Sequence, residues 1–121
     1  LSALDPSITH GAGLAIIMPA WMRYVCDADV GRFALFAHEV FGITPADESP
    51  EAYKEAAMLG IDALQEFFIS LGMPKSLADF GIKEEDIEKM IPTLIENKGE
   101  VFGAFRKLTA DDARVIYRAA L

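Results

Sequence analysis

Histidine, cysteine and tryptophan are nearly absent: the 121 residues include two His, one Cys and one Trp. A single cysteine cannot close a disulfide within the chain, so no disulfide framework holds this fold, and a cytoplasmic location is expected. Cys26 has no metal-ligand or nucleophile pattern around it and reads as a small buried hydrophobe. Basic residues are short as well, with 11 Lys and Arg against 19 Asp and Glu for a net charge of −8. Nucleic acid demands a clustered basic footprint, and the scattered cations here exclude a general coating role. The same charge argues against anionic membrane surfaces. Long apolar runs are missing too. The uncharged stretch from Gly11 to Met22 falls short of the roughly 20 residues a membrane span needs. No basic stretch precedes it, so it is not a signal peptide. Alternation of period two, internal repeats and low-complexity linkers are all absent.

What is present is helical periodicity in a chain that is 52% hydrophobic and 25% charged, a balance that places it among folded rather than disordered proteins. Phe33, Phe36, Ala37, Val40 and Phe41 recur at helical spacing, and Gly42 stands where a left-handed cap ends such a helix. Ser49-Pro50-Glu51 combines an N-cap, a first-turn proline and an acid against the helix dipole. The stripe Ala57, Ile61, Leu64, Phe68, Leu71 then predicts the longest helix, from Pro50 to Leu71. A short turn is expected after Ser76, with Asp79 completing a capping box. Ile87, Met90, Ile91, Leu94 and Ile95 form another stripe, which Pro92 is expected to kink or split. The last stripe, Ala113, Ile116, Tyr117, Ala120 and Leu121, opens at Thr109 with Asp111 and Asp112 in its first turn. Residues 99–107 read as loop. The opening helix, Gly13 to Val25, is apolar nearly all round and so belongs in the core. Pro19 is expected to kink it or divide it after Met18. The fold class expected is all-α, one domain over residues 1–121, a compact bundle of about six helices.

Residues able to carry chemistry are few. His10, in Ile8-Thr9-His10-Gly11-Ala12-Gly13, is a potential imidazole ligand beside glycines that admit close approach. A metal needs at least three protein ligands, and no second histidine stands at ligand spacing. On the residues alone His10 is more readily a structural helix-start histidine. His38 reads as a partly exposed helix residue, and no Ser-His-Asp or Cys-His arrangement can be built. Gly11-Ala12-Gly13 is not a dinucleotide fingerprint, because Ile16 replaces the third glycine and no strand precedes it. Asp27, Asp29 and Gly31 do not make a calcium loop, because the glycine falls one place early and His38 stands where the closing glutamate belongs. Asp62 with Glu66 and Glu84 with Glu88 read as solvated acidic faces. Taken this far, the residues describe an acidic helical domain and name no function.

The segment Thr9-His10-Gly11-Ala12-Gly13-Leu14-Ala15-Ile16-Ile17-Met18-Pro19-Ala20-Trp21-Met22-Arg23-Tyr24 resembles the iron-containing (group III) alcohol dehydrogenases, especially their butanol-dehydrogenase-like branch. Phe33 to Ile43 resembles that family's next helix and its exit. Phe67 to Pro74, Leu77 to Ile82 and Leu108 to Leu121 continue the likeness in order, so that it covers essentially the whole chain. The resemblance implies the helical C-terminal half of a two-domain enzyme whose N-terminal half holds NAD or NADP. It implies a divalent metal (iron, zinc or nickel) held by one Asp and three His, the last of which maps to His10. The remaining ligands would precede Leu1, which agrees with a start, Leu1-Ser2-Ala3-Leu4, that lacks an initiator Met and looks like a severed fragment. The activity implied for the intact enzyme is interconversion of small alcohols and aldehydes by hydride transfer, in a homo-oligomer. The fragment alone is expected to be inactive, to hold no cofactor and to contain no catalytic residue of its own. Leu14, Ile17 and Trp21 would form core behind the metal. Two other readings stand beside this one: a non-catalytic helical interaction module, and a module that binds a small apolar ligand beside Trp21.

Overall fold

Thr9 starts the first helix. Its backbone is extended (φ −65°, ψ 149°) and its hydroxyl accepts a hydrogen bond from the Ala12 N–H, satisfying one of the unpaired amides of the first turn. From this cap α1 runs over His10–Val25. It is followed by a 3-10 turn, Cys26–Ala28, and by α2 (Val30–Phe41), α3 (Pro50–Ser70), a second 3-10 turn (Leu77–Phe80), α4 (Glu84–Lys98) and α5 (Ala110–Ala119). The computed structural model describes residues 1 and 4–121; Ser2 and Ala3, part of the apolar opening noted above, lie outside the described residues. The described residues contain five α-helices and two 3-10 turns and no strand longer than a single bridge between Phe102 and Leu108.

The boundaries follow the local signals closely. Asp29 caps α2 by accepting from the Arg32 N–H, and Gly42 closes it in the left-handed region at φ 68°. Ser49 caps α3 with Pro50 in its first turn. Capping boxes built on Ser76 with Asp79 and on Thr109 with Asp112 open the second 3-10 turn and α5. Of the kink or split expected at each proline, the split does not occur. Helix α1 continues undivided through Pro19, and α4 through Pro92. A proline removes one helical donor and crowds the preceding turn, so tertiary packing has to hold the helix across it. Pro19 is itself buried, flanked by the core residues Ile16, Ala20 and Met22. Pro92 lies on the exposed side of α4, while Ile87, Met90 and Ile91 hold the inner side.

Helices α2 and α3 form the most extensive pairing, α1 packs on both α3 and α5, and α4 rests on α5. The α2–α3 crossing is close because its residues are small. A Cβ built on Gly60 would stand 2.5 Å from the Ala37 Cβ, well inside contact distance. The core gathers Ile8, Ile16, Val25, Cys26, Ile61 and Leu77 around α1, and Leu77, Ile61 and Val25 are fully excluded from solvent. Each such side chain contributes roughly 1.5–3 kcal/mol by leaving water. Polar ties cross the packing. Arg23 of α1 donates to Asp62 and Gln65 of α3, both at 2.7 Å. Arg114 and Arg118 of α5 pair with Glu88 and Glu84 of α4. Asp62, Glu84 and Glu88 are exposed, as the sequence suggests, and each is also paired across a helix interface. None of the helices is long and apolar enough to cross a membrane.

Candidate functional site

The head of α1 is built by a short approach. Asp5 accepts from both the backbone N–H and the hydroxyl of Ser7, and these bonds hold its carboxyl below the usual range. The turn they stabilise ends in Ile8, which is 1% exposed and anchors the strand of backbone entering the helix. Thr9 caps α1 on the next residue, which leaves His10 in the first turn, exposed to solvent. The sequence therefore fixes His10 at the mouth of the bundle rather than in its core.

Beside His10 lies an apolar depression. Thr9, His10, Gly13, Leu14, Ile17 and Tyr117 surround a cavity of about 180 Å³, to which Leu1 adds a wall. Leu14 and Met18, one and two turns along α1, are 43% and 39% exposed. The expectation that Leu14, Ile17 and Trp21 are core behind His10 holds only in part: Ile17 and Trp21 are half-buried against the core, and Leu14 is on the surface. Tyr117 reads in the sequence as part of the α5 stripe, and nothing in that pattern marks it as a neighbour of His10. Only the packing of α5 on α1 brings it there. Burial pushes its phenol above the ordinary tyrosine value, so it is a neutral hydroxyl at physiological pH.

A second group joins α1, α5 and the loop between α4 and α5. Tyr24 donates to Asp112, which also accepts from the Thr109 N–H and hydroxyl. The Tyr24 hydroxyl, with the Thr109 amide second, lowers the Asp112 carboxyl, and the Asp112 bond in turn raises Tyr24. The Arg106 guanidinium lies 5.0 Å from the Tyr24 ring centroid, a cation–π contact. Sequence reading placed Asp112 in the first turn of the last helix but had no signal for Tyr24, 88 positions away. The loop is closed by reciprocal Phe102–Leu108 backbone bonds of 2.9 and 2.7 Å. Gly103 is needed within it: its φ is 93°, and a Cβ there would meet the Arg106 carbonyl oxygen at 2.6 Å.

The other candidates stay structural. His38 is exposed on α2, with its Nδ1 3.5 Å from the Thr44 hydroxyl. Cys26 is 1% exposed and burial raises its thiol, which makes it unreactive. Among the described residues no three His, Cys, Asp or Glu side chains gather as a metal site. Among the described residues no carboxylate pairs with the exposed His10 imidazole, and an imidazole so placed suits a ligand that completes a metal site together with groups from outside these residues. His10 thus fits a metal as one donor, and the described residues offer no complete set.

Comparison with known proteins bears on the fold and the family. Residues 5–121 match the model of the Fe-containing alcohol dehydrogenase family, C-terminal. The chain is 44% identical over 117 residues to the probable NADH-dependent butanol dehydrogenase 2 of Bacillus subtilis, covering 94% of this chain and 29% of that protein. It is 35% identical over 112 residues to NADH-dependent butanol dehydrogenase A of Clostridium acetobutylicum, covering 92% of this chain and 28% of that protein. Among solved structures, the NADH-dependent butanol dehydrogenase A of Thermotoga maritima superposes with a TM-score of 0.83 at 39% identity, over 98% of this chain and 30% of the other. The aldehyde reductase YqhD from E. coli does so with a TM-score of 0.88 at 29% identity, over 100% of this chain and 30% of the other. The chain spans less than a third of the length of these relatives. The sequence resemblance, the all-helical architecture and the family match over residues 5–121 converge, and the chain belongs to the Fe-containing alcohol dehydrogenase family, whose C-terminal region it carries.

Proposed function

We propose that this chain is the helical, metal-binding part of an NAD(P)-dependent alcohol dehydrogenase that interconverts small alcohols and aldehydes, with His10 one ligand of a divalent metal. The observation that carries the reading is His10 itself, exposed in the first turn of α1 at the edge of an apolar depression, within a chain that matches the family from residue 5 to residue 121. The names of the relatives, butanol dehydrogenases that use NADH, support the substrate class and the nicotinamide cofactor.

In the net reaction an alcohol gives up a hydride to NAD(P)⁺ and a proton to solvent, yielding the aldehyde and NAD(P)H. A bound divalent metal (iron, zinc or nickel) supplies Lewis acidity that lowers the alcohol's pKa and polarises the carbonyl. This chain's own part is positional. Thr9 and Ile8 fix the first turn of α1, so the backbone that carries His10 lacks a loop's freedom. Leu14, Ile17 and Tyr117 line the apolar side of that mouth and exclude water beside it. No residue of this chain is assigned to the nicotinamide. A polypeptide confined to these 121 residues supplies one ligand only, binds neither group tightly and turns over no alcohol. The working enzyme is placed in the cytoplasm as a homo-oligomer.

His10→Ala in the full-length protein tests this. Removing even an outer-shell partner typically costs about 10–100-fold in metal affinity or activity, so loss of a direct ligand is expected to exceed that. Metal content after dialysis and butanol-dependent NAD(P)H formation read it out. Retention of both in the variant would remove His10 from the site.

A further inference from the structure

Between α4 and the approach to α1 lies a cavity of about 220 Å³ that the reaction proposed above does not use. Leu4, Met90 and Leu94 give it an apolar wall, and Met90 is buried. Its polar groups come mainly from one side of α4. Lys89, Thr93 and Asn97 recur every four residues, Lys98 follows in the last turn, and α5 adds Tyr117. Two features set this lining apart. The chain carries 19 Asp and Glu against 11 Lys and Arg, yet the lining holds two lysines and no carboxylate. All five polar side chains can donate a hydrogen bond, and only Lys89 has a partner within the chain, Asp86 at 2.9 Å. Among the described residues, Thr93, Asn97, Lys98 and Tyr117 make no side-chain hydrogen bond or ion pair.

Unpaired donors beside an apolar wall match a small anion with an apolar body. The charge of that anion follows from the lysines. Asp86 already balances Lys89, so the one cation left over is Lys98, which suits a monoanion better than a phosphate dianion. Its size follows from the volume. At about 30 Å³ per water the cavity holds about seven waters, close to the seven heavy atoms of a five-carbon carboxylate. We propose that this cavity binds a short unbranched aliphatic monocarboxylate, its oxygens taken by Lys98, Asn97 and Tyr117 and its chain laid against Leu4, Met90 and Leu94. The site is distinct from the mouth at His10, with which it shares only Leu1 and Tyr117. Binding here needs neither metal nor nicotinamide.

Calorimetric titration of the full-length protein with sodium pentanoate is the test. We expect saturable binding that neither inorganic phosphate nor pentan-1-ol displaces at equal concentration. Lys98→Met keeps the aliphatic stem and removes the charge, and it should weaken binding by about tenfold or more. Lys83→Met removes the same charge from a lysine outside the lining and should leave the affinity unchanged. His10→Ala should also leave it unchanged, because His10 is not in the lining. No saturable binding, displacement by phosphate or by pentan-1-ol, an affinity that Lys98→Met leaves unmoved, or equal losses in the two lysine variants overturns the site. Binding lost in His10→Ala places the carboxylate at the metal instead and overturns it too.

Discussion

The two ends of α1 differ in kind although one apolar sequence runs through both. At its head His10 is exposed, Leu14 is 43% exposed and the helix borders open cavities. At its foot Met22, Val25 and Cys26 are sealed, and Arg23 is tied to α3 and Tyr24 to α5. An apolar helix is drawn inward by the hydrophobic effect, but Leu14 and Met18 stay exposed while Met22 and Val25 are buried. The difference separates two tasks. The foot carries stability, and the head gives up burial, leaving His10 in solvent beside an apolar depression.

If that division is right, the largest stability losses come from the sealed region. Ile61→Ala removes a side chain with no exposure from the α3 side of the core and is expected to cost about 2–5 kcal/mol in denaturant unfolding. Gly60→Ala pushes a methyl against Ala37 at the α2–α3 crossing, and overpacking of this kind costs about 1–3 kcal/mol. A Gly60→Ala protein as stable as wild type would show that the crossing can part without loss.

Smaller effects come from the ties. Tyr24→Phe deletes a donor to Asp112 and should cost about 1 kcal/mol. The pH dependence follows from the same pair. Asp112 is lowered below its ordinary carboxylate value, so its contribution is present above the unfolded carboxylate pKa near 3.8 and is lost as pH falls through the folded value. Tyr24 is raised, so its contribution is present below the unfolded value of 10.0 and is lost as pH rises through the folded one. Thermal melts of wild type and Tyr24→Phe should therefore converge at both pH extremes and differ most between them. The smallest stability effect belongs to the head. His10→Ala is expected to change unfolding free energy by less than about 0.5 kcal/mol, because the side chain it removes is exposed. A large loss there would erase the contrast between the two ends.

Much of the architecture was legible because it is local. Ser49-Pro50, Gly42 and Thr109 each act within four residues, and each stands in the structure where the sequence put it, whereas the Thr9 cap starts α1 at His10, three residues before the Gly13 expected from the apolar pattern. The family likeness singled out His10, and the local cap explains why that residue is exposed. At Pro19 and Pro92 neither helix divides, because a proline's local penalty says nothing about the packing that outweighs it. The acidic pairs were read as solvated faces because Arg23, Arg114 and Arg118 lie from 26 to 39 residues away from the carboxylates they meet.

The sequence by itself determined the helices, their caps, the acidic charge and the family, because capping bonds, 3.6-residue periodicity and ordered motifs depend on neighbours along the chain. Only the tertiary structure decided that α1 is open at one end, that Gly60 meets Ala37, and that Tyr117, Phe102 and Trp21 enclose one apolar space. Those are facts about which helices become neighbours, and the side chains that meet there come from positions that no local interaction connects.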